Sequence, residues 1–157
     1  MNHCGSVVSL HVAPTAAAPI QNRDWVEAVA GRGLEGDRYF ARIGTYSRDP
    51  GSGRHLTLIE AEALEGLKRD YGIAIAPGDS RRNVVTRDVP LNHLVDREFL
   101  IGNVRLRGTR LCEPCAHLER LTEQGTSRGL VHRGGLRAEI LSGGTIRVGD
   151  AILLPDE

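Results

Sequence analysis

The stretch Glu98-Phe-Leu-Ile-Gly-Asn-Val-Arg-Leu106 sets two alternating apolar runs on either side of Gly102-Asn103. Alternation puts every second side chain on one face of a strand, and the glycine-asparagine pair is hairpin chemistry. The reading is a pair of strands, Glu98 to Ile101 against Val104 to Leu106. Downstream, Leu136 to Leu141 and Ala151 to Leu154 read as further strands, with Gly143-Gly144 and Gly149-Asp150 as turns. Upstream, Gly5 to Val12, His55 to Ile59 and Asn83 to Thr86 are short strands rich in valine, leucine and isoleucine. Glu60 to Tyr71 has apolar residues at 63, 64, 67 and 71, a helical face, and Gly72 stands at the stop position. Leu91 to Val95 is a helical turn at most, and Cys115 to Leu121 a short helix. Gly31 to Arg38 is a glycine-punctuated loop, and Tyr46 to Arg54 has loop composition. Many short strands, few short helices and glycine corners predict a mainly β single domain, closed or partly closed as a barrel. The domain spans 1–157, with its core from about 5 to 154.

The 157 residues include 40% hydrophobic and 4% aromatic side chains, with a formal net charge of zero. Few aromatics argue against a base-stacking surface. Zero net charge argues against general attraction to nucleic acid or an anionic membrane. Any anion site must therefore be local. Of the 20 basic residues Lys68 is the only lysine, and it falls in the polar pattern of the predicted helix. Pyridoxal phosphate needs a Schiff-base lysine, so that cofactor is not expected. Three cysteines are not a disulfide framework. With no signal-peptide pattern and no apolar run of membrane length, the expectation is a cytoplasmic protein with reduced thiols.

Chemistry concentrates in a few segments. Cys112-Glu-Pro-Cys115 runs into the predicted helix. Pro114 suits the first helical turn, which places Cys115 where the helix dipole and free N–H groups favour a thiolate. Cys112 lies just outside. The pair reads as a zinc half-site, a redox disulfide, a reactive thiolate or two small packed residues. Zinc needs two more ligands, and His117 and His132 stand at non-standard spacing. A thioredoxin-like disulfide needs a βαβ context that the flanks do not supply.

Arg81-Arg-Asn83 precedes a strand. Strand geometry sends the two arginines to opposite faces, one to a pocket and one to solvent, and arginine forks suit phosphate. A fully solvated loop is the other reading. Leu34-Glu-Gly-Asp-Arg-Tyr39 is either a turn stitched by Asp37 and Arg38 or the wall of an anion site. Leu130-Val-His-Arg-Gly-Gly-Leu136 sets His132 and Arg133 before two glycines, which make a turn or admit a ligand. His3, His11, His55 and His93 have no comparable company in sequence.

Taken in order, Gly33-Leu-Glu-Gly-Asp-Arg38, Leu56-Thr-Leu-Ile-Glu60, Arg81-Arg-Asn-Val84, Phe99-Leu-Ile-Gly102, Cys112-Glu-Pro-Cys115, His132-Arg-Gly-Gly135 and Ile146-Arg-Val-Gly-Asp150 resemble the MOSC domain. That is the C-terminal domain of molybdenum cofactor sulfurases, found also as small stand-alone bacterial proteins. The resemblance implies a β-barrel similar to the β-barrel domain of pyruvate kinase. It also implies binding of molybdenum cofactor (molybdopterin), a pterin dithiolene carrying a phosphate. By position before Ala116-His-Leu, the family cysteine maps to Cys115, which either ligates molybdenum or carries a persulfide. Arg38, Arg81, Arg82, Asn83 and Arg133 become the cofactor-binding set, with His132 and Cys112 as catalytic companions of Cys115.

The implied reaction is reduction of N-hydroxylated compounds. Its electrons would come from a separate electron-donor protein, because no ferredoxin-type cysteine set is present. A persulfide carrier loaded by a cysteine desulfurase, with Cys112 resolving Cys115, is one alternative. A non-catalytic module with structural zinc or no metal is another. The chain departs from the family pattern at Asp88 and Asp96, where glycine is common, and at Leu111, where proline is common.

Overall fold

A computed structural model describes residues 2–15, 18–41, 55–112 and 124–155. In chain order the strands are β1 (Asn2–Val12), β2 (Gln21–Arg23), β3 (Trp25–Val29), β4 (Gly33–Leu34), β5 (Leu56–Glu60), β6 (Val84–Arg87), β7 (Glu98–Ile101), β8 (Val104–Leu111), β9 (Leu136–Ser142), β10 (Gly144–Arg147) and β11 (Ala151–Leu154). The helices among the described residues are α1 (Arg38–Ala41), α2 (Ala61–Tyr71) and α3 (Thr126–Gly129), with 3-10 turns at Pro77–Ser80 and Leu91–Leu94.

The Gly102-Asn103 hairpin is present in the expected register. Phe99 faces Leu106 and Ile101 faces Val104. All four of those side chains are fully buried, while Glu98, Leu100, Arg105 and Arg107 point outward. The hairpin sits in a sheet ordered β11-β7-β8-β9-β5-β6-β1-β2. β11 also pairs with β1, so seven strands close into a barrel and β2 hangs on β1 outside the ring. The mainly β barrel is thus the observed fold. Leu10, Leu56, Leu58, Val84, Phe99, Leu106, Leu136 and Ile152 are among the side chains that fill it.

Among the named strands of the described residues, β5 and β6 are the pair that runs parallel, and a parallel pair needs a crossover. α2 supplies it. Alternation along β5 and β6 gives Leu58 and Val84 to the barrel, and Ile59 and Val85 to a second cluster with Ala63, Leu67 and Leu130. The buried face of α2 is Ala61, Ala63, Gly66 and Leu67; Tyr71, expected on that face, is exposed. Gly72 stops the helix as predicted, its N–H bonding the Lys68 carbonyl.

Several boundaries differ from the sequence reading. β8 continues to Leu111, because β9 pairs with it through Leu111 and Leu136. β6 begins at Val84, one residue after the predicted start. The Gly31–Arg38 loop holds β4 and opens into α1. β2 and β10 were not predicted: Gln21-Asn-Arg23 has no apolar alternation and is a strand only because β1 pairs with it. The predicted Cys115–Leu121 helix and Tyr46–Arg54 loop lie outside the described residues. Asp88 and Asp96, the two departures from glycine, have φ of 63° and 62°. Asp is among the few non-glycine residues that tolerate this left-handed region, so the turns keep the backbone shape that glycine would allow.

Candidate functional site

Functional side chains gather around the head of β6. The Pro77–Ser80 turn ends on Arg81, whose φ of 61° turns the chain sharply into the strand. Arg81 and Arg82 therefore diverge, but neither is fully solvated: both are half-buried. Arg81 Nη2 donates to the Ala18 carbonyl at 2.9 Å. Arg82 runs the other way. Its Nε donates to the Gly134 carbonyl at 2.8 Å and its Nη2 to the Cys112 carbonyl at 3.2 Å. One guanidinium thus ties the end of β8, three residues before Cys115, to the turn before β9. The Cys112 N–H closes the same corner by donating to Gly135 O at 2.7 Å. Gly135 has φ of 117°, and a Cβ there would lie 2.1 Å from Leu58 O, so only glycine fits.

Asn83 is buried and its carboxamide is fully used. Oδ1 accepts from the Thr57 N–H at 3.0 Å and from Thr57 Oγ1 at 3.3 Å. Nδ2 donates to His11 O at 3.0 Å, and the carboxamide is near enough to Asp37 to favour its ionised form. Asn83 is a stitch between β1 and β5.

Asp37 and Arg38 sit against this stitch. Asp37 Oδ1 accepts from the Ala13 N–H at 3.0 Å, and Oδ2 from the Tyr39 N–H at 3.4 Å. Burial pushes the Asp37 carboxyl above its usual value, while Arg38, the two amides and Asn83 pull it back. Arg38 is only 7% exposed. Its Nη1 lies 3.5 Å from Asp37 Oδ1, and the guanidinium carbon sits 4.6 Å from the Tyr39 ring centre. That nitrogen is buried and, among the described residues, has no hydrogen-bond partner. Arg81 is close enough to feel it. Burial first, then Arg38, pushes the Arg81 guanidinium below its usual value, against Asp37, Asp79 and Tyr39. Two crowded guanidinium groups, one with a buried N–H lacking an acceptor, form a donor set for an anion.

The remaining expected site residues divide. Cys112 is buried at 4% exposure. His132 is exposed with φ of 65°, and its carbonyl accepts from Asn92 Nδ2 at 2.8 Å. Arg133 turns away from the arginine pair. Its Nε donates to Gly129 O at 2.8 Å, its Nη2 reaches Asp70 Oδ2 at 3.2 Å, and it lies over Gly66. Asp70, hydrogen-bonded by Arg69 and Arg133, is held at about 2. Arg133 thereby fastens α2 to α3. Cys115 and His117 lie outside the described residues. Among the described residues no three His, Cys, Asp or Glu side chains assemble as metal ligands. No helix among them is long and apolar enough to cross a membrane.

The sequence profile of the MOSC domain matches residues 26–153. The chain belongs to the MOSC domain family. The fold agrees with solved structures. The YuaD protein of Bacillus subtilis superposes with a TM-score of 0.80 at 18% identity, covering 94% of this chain and 93% of that one. YiiM from Geobacillus stearothermophilus gives 0.70 at 14% identity, covering 97% and 75%. YiiM from Escherichia coli gives 0.67 at 16% identity, covering 100% and 71%. A comparison with curated proteins found no match. As a MOSC domain, the chain is a module of the kind associated with molybdenum cofactor.

Sequence left two parts of the site undecided. Asp37 read either as stitched to Arg38 in a turn or as part of an anion-site wall, and its burial as a counter-charge of Arg38 depends on Ala13 closing over it. His11 lacked company in sequence, yet it is buried with both ring nitrogens bonded.

Proposed function

We propose that this MOSC domain binds molybdenum cofactor beside the head of β6, with Arg38 and Arg81 receiving the cofactor phosphate. The observation that carries this reading is the buried Arg38 Nη1, which among the described residues has no hydrogen-bond partner beyond the 3.5 Å ion pair with Asp37 and feels the charge of a second guanidinium. A phosphate supplies the missing acceptors and relieves the repulsion between the two cations. When bound, the cofactor supplies a two-electron redox centre with sulfur ligands, and a soft thiolate suits that metal. Cys115 is the ligand this assigns. Arg82 is a positioning residue: through the Cys112 and Gly134 carbonyls it aims the chain that leads into Cys115. His132, exposed beside that corner, is the residue to exchange a proton with substrate. The reaction is reduction of an N-hydroxylated compound, consuming two electrons and two protons and releasing water, with electrons from a separate protein. Cys112, buried and backbone-bonded, packs the corner.

The test is molybdenum content of protein isolated from a cofactor-producing host. Near-stoichiometric metal, lost in Cys115→Ala and reduced at least tenfold in Arg38→Ala/Arg81→Ala, is expected. Metal at background in the wild type sinks the proposal. An added sulfur atom on Cys115 by intact mass, without metal, would turn the reading to persulfide carriage.

A further inference from the structure

A second constellation lies on the outer side of β1, in a cleft of about 700 Å³ under the Pro77–Ser80 turn. Ser9 and His11 are two residues apart on β1 and share a face. Asn22 of β2 is the direct cross-strand partner of His11. His11 Nδ1 is 2.8 Å from Asn22 Oδ1, and His11 Nε2 is 2.8 Å from Ser9 Oγ. A carboxamide oxygen only accepts, so Nδ1 carries the proton. Nε2 is then the acceptor, and the Ser9 hydroxyl donates to it.

The ring is held in that orientation. It is 4% exposed, and its backbone N–H and carbonyl are both bonded to Asn83. Gly78 covers it: a Cβ there would lie 2.9 Å from Nδ1 and 3.2 Å from Asn22 Oδ1. Burial keeps the imidazole below its usual pKa, while the Asn22 hydrogen bond and the Asp79 charge favour the protonated ring. A neutral base with a carboxylate nearby to steady its imidazolium is what a general base requires.

We propose that Ser9, His11 and Asn22 form a hydrolytic triad, with Ser9 as nucleophile, His11 as general base and Asn22 as its orienting partner, acting on short, uncharged carboxylic esters. Ester substrates follow from the chemistry of an activated hydroxyl. The uncharged class follows from the lining: Arg23 and Arg81 are balanced by Asp24 and Asp79, and Ile20, Pro77 and Val148 make apolar walls. Ser9 Oγ attacks the ester carbonyl carbon and its proton passes to His11 Nε2. The carbon–oxygen bond to the alcohol breaks and the alcohol leaves with that proton. Water then attacks the acyl-serine, its proton returning through His11 to Ser9 as the acid departs. Arg81 lines the same cleft, so its charge is available to the developing oxyanion. The step uses no atom of the cofactor; it shares Arg81 with the proposed phosphate site and is therefore tested on protein without cofactor.

The test is covalent labelling of the full chain by an alkyl fluorophosphonate, read by intact mass and peptide mapping, beside hydrolysis of p-nitrophenyl butyrate. One adduct on Ser9 is expected. Labelling should slow by about 100-fold or more in His11→Gln and by a smaller factor in Asn22→Ala. Ser9→Ala should abolish both labelling and ester turnover, and circular dichroism checks its fold. Should His11→Gln not fold, the Ser9→Ala comparison decides alone. No adduct on Ser9, ester turnover that survives Ser9→Ala, or labelling of a folded His11→Gln at the wild-type rate overturns the proposal.

Discussion

Two groups of arginines show what placement does to one side-chain type. On the outer face of β7–β8–β9, Arg105 meets Glu98 at 3.2 Å, and Arg107 meets Asp96 at 3.1 Å and Glu139 at 3.6 Å. All these side chains are partly or largely open to water, where such pairs contribute little. Around the head of β6 the arithmetic differs. Arg38 and Arg81 crowd together, Arg38 is buried, and the one buried carboxylate, Asp37, is already engaged by two backbone amides. The first group is self-sufficient. In the second, the buried Arg38 Nη1 has no hydrogen-bond partner among the described residues, which is why it carries the functional reading.

That contrast can be attacked at its strongest point. Asp37→Ala removes the buried counter-charge that Arg38 has among the described residues, and breaking a buried pair costs about 3–5 kcal/mol. Urea unfolding should show that loss, and inorganic phosphate should restore part of it if the two guanidinium groups accept an anion. An unfolding midpoint unmoved by Asp37→Ala would mean Arg38 is better solvated than its burial implies.

Asn83→Ala comes next. It strands the buried Thr57 N–H and the His11 carbonyl, and unsatisfied groups of this kind cost about 1–3 kcal/mol each. The expected loss in chemical denaturation is about 2–6 kcal/mol.

A smaller effect is pH-dependent. Burial keeps His11 and His55 below their usual values in the folded chain. The unfolded chain protonates near about pH 6.5, so just below that pH it binds more protons than the folded chain. Stability should therefore fall as pH drops below about 6.5, until the folded histidines titrate. Asp37, raised by burial, works in the opposite sense at lower pH. Thermal melts between pH 7.5 and 5 should show the decline, and His55→Gln should flatten it.

At the weak end, Arg107→Ala should change stability by no more than about 0.5 kcal/mol. A much larger loss in the melting curve would mean the surface group is not the passive member of the comparison.

The barrel was legible from residue patterns because its signal is local. Phe99, Ile101, Val104 and Leu106 alternate around a turn, and the pairing follows from the pleat. The Gly72 stop was legible for the same reason, whereas the seven ordered segments were read through their resemblance to the MOSC domain. β2 was not, because its polar residues become a strand only through β1. Arg133 looked equivalent to Arg81 in sequence, and only the packing of α3 against α2 directs it to Asp70.

The sequence by itself determined the fold class, the family and the short roster of residues able to hold an anion or act as a thiolate. The fold class and the roster depend on periodicity, on glycine at turns and on residue type, and the family on the resemblance of ordered motifs. Only tertiary structure decided which of 19 arginines share a site, that Asn83 is a stitch, and that His11 lies between Ser9 and Asn22. Burial, charge crowding and cross-strand contact arise between segments far apart in the chain. Local pattern carries no record of them.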